Sequence, residues 1–188
     1  MTLKSLSLKV GAAGFALAGA LVIANGAAAR HEDPPSAARG KYLVTAMGCN
    51  DCHTPWSVGP DGPAPDMTRM LSGHPQGEVM LVPQLHPGQW ASAPTNTAFL
   101  GPWGTSYTAN LTPDETGLGS WTEDMFLQAI RTGRHMGQAR PILPPMPWPM
   151  IRNLTDDDLR SIFAYLRTIP PIQNRVPQPL APAIEEGS

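Results

Sequence analysis

Apolar side chains recur at helical spacing in three stretches of the chain. The first, from about Ala37 to Met47, carries Tyr42, Leu43 and Ala46 at i, i+1 and i+4, one apolar stripe. Pro34-Pro35 precede it and Ser36 can cap it. In the second, from about Trp121 to Thr132, Ser120 and Glu123 have capping-box spacing. Met125, Phe126, Ala129 and Ile130 form its expected buried face, and Gly133 can end it. The third runs from about Asp156 to Thr168, with Thr155 as N-cap and Asp156, Asp157 and Asp158 at the positive end of the helix dipole. Leu159, Ile162, Phe163 and Leu166 fill its core stripe, and Pro170-Pro171 stop it. Between His53 and Trp121 the pattern is irregular, with short strands expected at Glu78–Val82 and Thr105–Asn110. Pro177, Pro179 and Pro182 predict an extended tail from about residue 178, mobile at its end. The expected fold is mainly α: three or more helices interrupted by a long Pro/Gly-rich insertion.

Composition agrees with that irregular middle. The chain has 22 prolines and 18 glycines among 188 residues, about a fifth together. That is below the level of a disordered chain but implies much turn-rich backbone. Residues 1–29 have the form of a secretory signal. Lys4 and Lys9 precede an Ala/Gly-rich apolar stretch, and Ala27-Ala28-Ala29 offers a small-residue cleavage site. The competing expectation is an uncleaved membrane anchor, since Val10 to Ala29 is about long enough to span. Either places the remaining domain, 30–177, outside the cytoplasmic membrane, and cleavage places it in the periplasm. Loss of residues 1–29 would remove two lysines and no acid, leaving 11 basic and 15 acidic side chains, net −4. Nucleic acid is therefore an unfitting partner.

Cys49-Asn50-Asp51-Cys52-His53 carries the candidate chemistry. It reads C-x-x-C-H, the attachment site of a c-type haem. Two thiols at this spacing can bond the two vinyl groups of one haem, and the adjacent histidine reaches the iron. These are the chain's two cysteines, so the expectation is one covalent haem. A thioredoxin-like pair would need a βαβ setting, and the flanks of Cys49 read as no such thing. A zinc site would need a second close Cys or His pair, whereas His74, His86 and His135 are scattered.

The surrounding motifs extend the picture. Asn110-Leu111-Thr112-Pro113-Asp114, Gly117-Leu118-Gly119-Ser120-Trp121-Thr122 and Ile130-Arg131-Thr132-Gly133 occur in that order. Met146-Pro147-Trp148, Leu154-Thr155-Asp156 and Ala164-Tyr165-Leu166-Arg167 follow. With the haem motif they resemble class I c-type cytochromes over about Arg39 to Pro177. They are similar in particular to the cytochrome subunits of bacterial membrane-linked alcohol, aldehyde and sugar dehydrogenases. Those subunits commonly carry two or three haem motifs, and this chain has one. The resemblance implies a class I cytochrome c-like fold around one haem. It also implies an exported electron carrier or dehydrogenase subunit rather than an enzyme in itself. The implied partners are a dehydrogenase donor and a cytochrome or terminal-oxidase acceptor, with peripheral membrane association.

His53 is the expected proximal ligand, its other ring nitrogen donating to a carbonyl. In the family that carbonyl is often a proline's, so Pro60, Pro63 and Pro65 are candidates. The expected distal ligand is Met146, held in Pro144-Pro145-Met146-Pro147, where three prolines restrict the backbone. Met150 and Met136 are the next choices, ahead of His74, His86 or His135. Leu111, Phe126, Ile130, Leu143 and Phe163 are candidate cavity lining. By resemblance Trp121 and Arg131 are partners for the haem propionates, ahead of Tyr107 and Trp103. Two other functions share the motif: an open-iron haem enzyme or gas sensor, and a secreted thiol–disulfide oxidoreductase.

Overall fold

The computed structural model describes residues 34–80 and 85–182. The expected signal segment, Leu81 and Val82 of the first expected strand, and the tip of the tail lie outside the described residues. In chain order the elements are α1 (Ala37–Ala46), α2 (Cys49–His53), β1 (Trp56–Gly59), β2 (Gly62–Pro65), β3 (Ala91–Ser92) and β4 (Ala98–Gly101). Then follow β5 (Gly104–Tyr107), α3 (Glu123–Thr132), α4 (Trp148–Ile151) and α5 (Asp156–Leu166). The helices enclose the main core, and the insertion between α2 and α3 supplies the strands.

Ser36 starts α1 by accepting a hydrogen bond from the Arg39 amide at 3.2 Å. The buried stripe differs from the expected one. Gly40, Leu43 and Val44, at i, i+3 and i+4, face inward, while Tyr42 is 61% exposed under the Arg39 guanidinium. Glycine at the head of that stripe sets the approach to α5: a Cβ on Gly40 would stand 1.8 Å from the Ser161 carbonyl oxygen.

α3 begins at Glu123, later than the capping-box spacing suggests. Thr122, not Ser120, caps it, accepting from the Met125 amide at 3.2 Å. The Trp121 amide is committed to the preceding turn through Leu118 O. α5 starts as expected, with Thr155 accepting from the Asp158 amide, and Pro170 follows its end. Leu43, Val44, Phe126, Ile130, Ile162 and Leu166 meet in the core, and the Phe126 and Phe163 rings lie 5.4 Å apart.

β1 and β2 form an antiparallel hairpin with Gly59 opposite Gly62. It follows the cysteine motif directly but makes no βαβ unit. The other three strands form an antiparallel sheet in the order β3-β4-β5, Ala98 facing Tyr107. The expected strand from Thr105 to Asn110 stops at Tyr107. Beyond it the carbonyls of Thr108 and Ala109 are taken by the His74 amide and the His53 ring. Glu78–Met80 forms no strand. Met80, Ala93 and Ala98 make a small second core.

The tail is extended and, as far as it is described, attached. Asn174 carries most of the anchoring. Its side-chain amide donates to Ser72 O at 2.7 Å and His74 O at 2.9 Å, and its carbonyl accepts from the Gln76 amide at 2.7 Å. Further on, Thr105 and Leu180 exchange two backbone hydrogen bonds of 2.9 Å. Among the described residues no helix is long and apolar enough to cross a membrane.

Candidate functional site

The cysteine motif is a single helical turn held by its neighbours. Gly48 enters it in the left-handed conformation, φ 65°. The Thr54 hydroxyl donates to Asn50 Oδ1 at 2.8 Å and accepts from the Leu71 amide at 2.8 Å. The Asp51 carbonyl accepts from both the Trp56 indole at 2.9 Å and the Asn96 amide at 2.8 Å. The first strand and the β3–β4 turn thereby lock the helix that carries both thiols.

His53 is buried, and its Nδ1 donates to the Ala109 carbonyl at 2.8 Å. A carbonyl can only accept, so Nδ1 bears the proton and Nε2 keeps its lone pair. Burial also pushes the imidazole pKa below its usual value, which favours the neutral, ligating form. The acceptor is therefore Ala109, not Pro60, Pro63 or Pro65. Those prolines sit at the β1–β2 hairpin, whereas the chain leaving β5 passes the imidazole.

Cys52 and His53 open onto a cavity of about 400 Å³. Leu111, Phe126, Ile130 and Leu143 line it as expected, while Phe163 lies behind Phe126 in the helix core. Cys49 does not line the cavity; it packs half-buried against the helical core. Burial pushes its thiol up to about 11 and raises that of Cys52 as well, with the Asp51 charge adding to both. Both sulfurs are thus protonated at neutral pH, the reverse of an activated redox thiolate.

Met146 also lines the cavity, from its proline loop. That loop is moored to β5 by the Ser106 hydroxyl, which donates to Pro144 O at 2.5 Å. Met136 also lines the cavity, in a left-handed conformation with φ 53°. Met150 is 61% exposed and does not line it. Of the three scattered histidines, His135 alone lines the cavity, stacked edge-on against Trp121 with ring centroids 5.1 Å apart. His74 is bonded to Thr97 and Glu78 in the insertion.

The expected propionate partners divide. Trp121 and Tyr107 line the cavity. Trp103 does not, and its indole donates to Ser106 Oγ. Arg131 also lies off the cavity, its guanidinium held by the Arg152 carbonyl and by Asp156 of α5. Arg131 ties two helices together and does not line the cavity.

Three groups on the cavity wall lay outside the sequence expectations. Ala109 acts through its backbone, so no side-chain signal could mark it. Arg140 and Arg175 line the wall from loops whose irregular sequence has no period to read. The polar equipment fits an apolar cofactor with acidic groups. The Thr108 hydroxyl, also on the lining, is a buried polar atom without a hydrogen-bond partner. A free imidazole lone pair, a neighbouring thiol, an apolar wall and a thioether on the same lining fit a haem.

Comparison with known proteins points the same way. The family described as Cytochrome c matches residues 37–170. The fructose dehydrogenase cytochrome subunit of Gluconobacter japonicus is 32% identical over 135 residues, 71% of this chain and 21% of that protein. The cytochrome c subunit of the quinone alcohol dehydrogenase of Gluconobacter oxydans (strain 621H) is 29% identical over 164 residues, 85% of this chain and 27% of that protein. The gluconate 2-dehydrogenase cytochrome c subunit of Pantoea cypripedii is 37% identical over 65 residues, 34% of this chain and 14% of that protein. The chain spans about a quarter or less of each of these relatives.

Proposed function

This chain belongs to the cytochrome c family, and from that premise we propose that it transfers single electrons through one haem c bonded to Cys49 and Cys52 and ligated by His53 and Met146. The haem, when bound, supplies a one-electron iron couple, and the protein sets its potential and its docking. The observation that carries the reading is the His53 hydrogen bond to Ala109. It fixes the tautomer with Nε2 unprotonated, on the cavity that Cys52 shares.

The other residues serve that role. The backbone hydrogen bond orients the imidazole and strengthens it as a donor. Leu111, Phe126, Ile130 and Leu143 keep water from the cavity, which disfavours extra charge there and keeps reorganisation small. Met146 offers a thioether on a loop with little freedom to lose. With His53 and Met146 both holding the iron, no position would be left for a substrate, which favours a carrier over a catalyst. Its place is the periplasm, either free or as the cytochrome component of a dehydrogenase complex that associates peripherally with the membrane. A dehydrogenase cofactor is the donor and a cytochrome or terminal oxidase the acceptor. The raised thiol pKa values count against a thiol–disulfide oxidoreductase.

Exported protein should be coloured and gain the mass of one haem that survives denaturing electrophoresis. Colourless protein without that gain would sink the reading. Met146→Ala should abolish the far-red methionine–iron band and let the reduced protein bind carbon monoxide. Met136→Ala and Met150→Ala should leave the band intact. Loss of the band in Met136→Ala instead would move the ligand to that residue.

A further inference from the structure

We propose that Arg140 and Arg175 hold the two carboxylates of the cofactor, one each, in place of the Arg131 site that the sequence suggested. The proposal rests on the haem reading above and names the charged contacts of that same site.

The cavity wall carries two guanidinium groups and, among the described residues, no aspartate or glutamate. Arg140 and Arg175 form no ion pair among the described residues, unlike Arg39, Arg69, Arg131 and Arg160. The side-chain hydrogen bond of Arg140 is a 3.5 Å contact with the carbonyl of Pro141. Both residues are solvent-exposed while lining the cavity wall, so each guanidinium is accessible to an acidic group of a bound ligand. Partial burial pushes the Arg140 guanidinium below its usual value. A haem brings two propionates, and guanidinium meets carboxylate with two parallel hydrogen bonds. Two unpaired cations on the wall therefore match the two acids of the expected ligand in sign and number.

Both residues are held by their backbone before any ligand arrives. The loop bearing Arg140 is closed by the Arg134–Pro141 bridge and by His135 N–H donating to Arg140 O at 2.9 Å. Arg175 follows Asn174, the anchor of the tail, and its own amide donates to Gln76 Oε1 at 3.2 Å. The C-terminal segment thus closes one side of the cavity and contributes one of its two cations.

The test uses the haem-loaded protein with Arg140→Gln, Arg175→Gln, their Lys counterparts and Arg131→Gln. Reduction potential is measured by spectroelectrochemistry from about pH 5 to pH 9, a range spanning carboxyl groups with normal and raised pKa values. A paired carboxylate stays ionised across this range, so a slope in the parent should come from His135 on the same wall, whose pKa burial and the Arg140 charge both lower. Every variant is therefore also measured in a His135→Gln background, where the parent potential should vary little. Loss of the cation raises the carboxyl pKa. A proton then binds within the range and favours the reduced state, so the potential falls as pH rises through that pKa. Each Gln variant should show this new slope and a lower potential at high pH. The Lys variants should keep most of the parent potential. Arg131→Gln should lower thermal stability with an unchanged profile. Redox-difference infrared spectra of the parent should show ionised carboxylate, with no protonated carboxyl band, down to about pH 5.5; this check needs no variant. Gln profiles superimposable on the parent, a new slope in only one of them, the same slope in Arg131→Gln, or a protonated carboxyl band in the parent would each overturn the assignment. Absence of haem from the parent would instead overturn the functional reading beneath it.

Discussion

Replacing Gly40 by alanine should destabilise the protein by about 3 kcal/mol. Gly40 lies inside α1 without a positive φ, so alanine by itself would gain about 1 kcal/mol of helix propensity. The obstacle is the crossing with α5. The added Cβ would stand 1.8 Å from the Ser161 oxygen, 2.5 Å from its carbonyl carbon and 2.8 Å from Tyr165 Cβ. The first two atoms are backbone, so no rotamer change relieves them. Ordinary contact needs roughly 3.3 Å, so the helices must part by about 1.5 Å. Leu43, Val44, Ile162 and Leu166, none more than 6% exposed, lose contacts across that seam. Opening about 150 Å² of apolar surface costs about 4 kcal/mol, which the propensity gain offsets only in part. Urea denaturation of the loaded protein should show a lower midpoint with an unchanged slope. Gly59→Ala is the control, because its nearest neighbour would be Gly62 O at 3.9 Å. It should stay within about 0.5 kcal/mol of the parent. A loss below about 1 kcal/mol at Gly40, or equal losses at both sites, would refute the argument from close approach.

Asn174→Ala should cost roughly 2–4 kcal/mol, since it leaves the Ser72 and His74 carbonyls and the Gln76 amide without their partner; a change in unfolding free energy below about 1 kcal/mol would show that the tail is not anchored there. His74 adds a pH dependence. Nε2 donates to Glu78 O and Nδ1 accepts from the Thr97 hydroxyl, and burial holds its pKa below the usual value despite the opposing pull of the Glu78 charge. Below about pH 6.5 the unfolded chain binds a proton that the folded chain does not, so stability should fall as pH drops through that window. His74→Gln should flatten this slope in denaturation series at several pH values, and an unchanged slope would assign the dependence elsewhere.

Much of the frame was legible because it depends on local rules. Ser36 and Thr155 cap their helices through side chains beside the amides they satisfy, and Pro170 follows shortly after the last helix, where it can add no donor to prolong it. The motif from Cys49 to His53 needs no tertiary context to be recognised, since its spacing is itself the chemistry. Contacts between distant segments were harder to read. Tyr42 and Val44 exchanged places because the inward face of α1 is chosen by where Gly40 can approach α5, 121 residues further on at Ser161.

Sequence by itself therefore determined three of the helices, the caps at Ser36 and Thr155, the thiol pair and the imidazole beside it, all of which are consequences of near neighbours. Tertiary structure decided which carbonyl holds the imidazole, which arginines face the cavity and which are spent on helix ends. It also decided that the proline-rich tail closes the cavity as a wall. These outcomes turn on backbone atoms and on charges paired across the fold. A carbonyl has no identity in the sequence, and a guanidinium reads the same in a list whether an aspartate has claimed it or not.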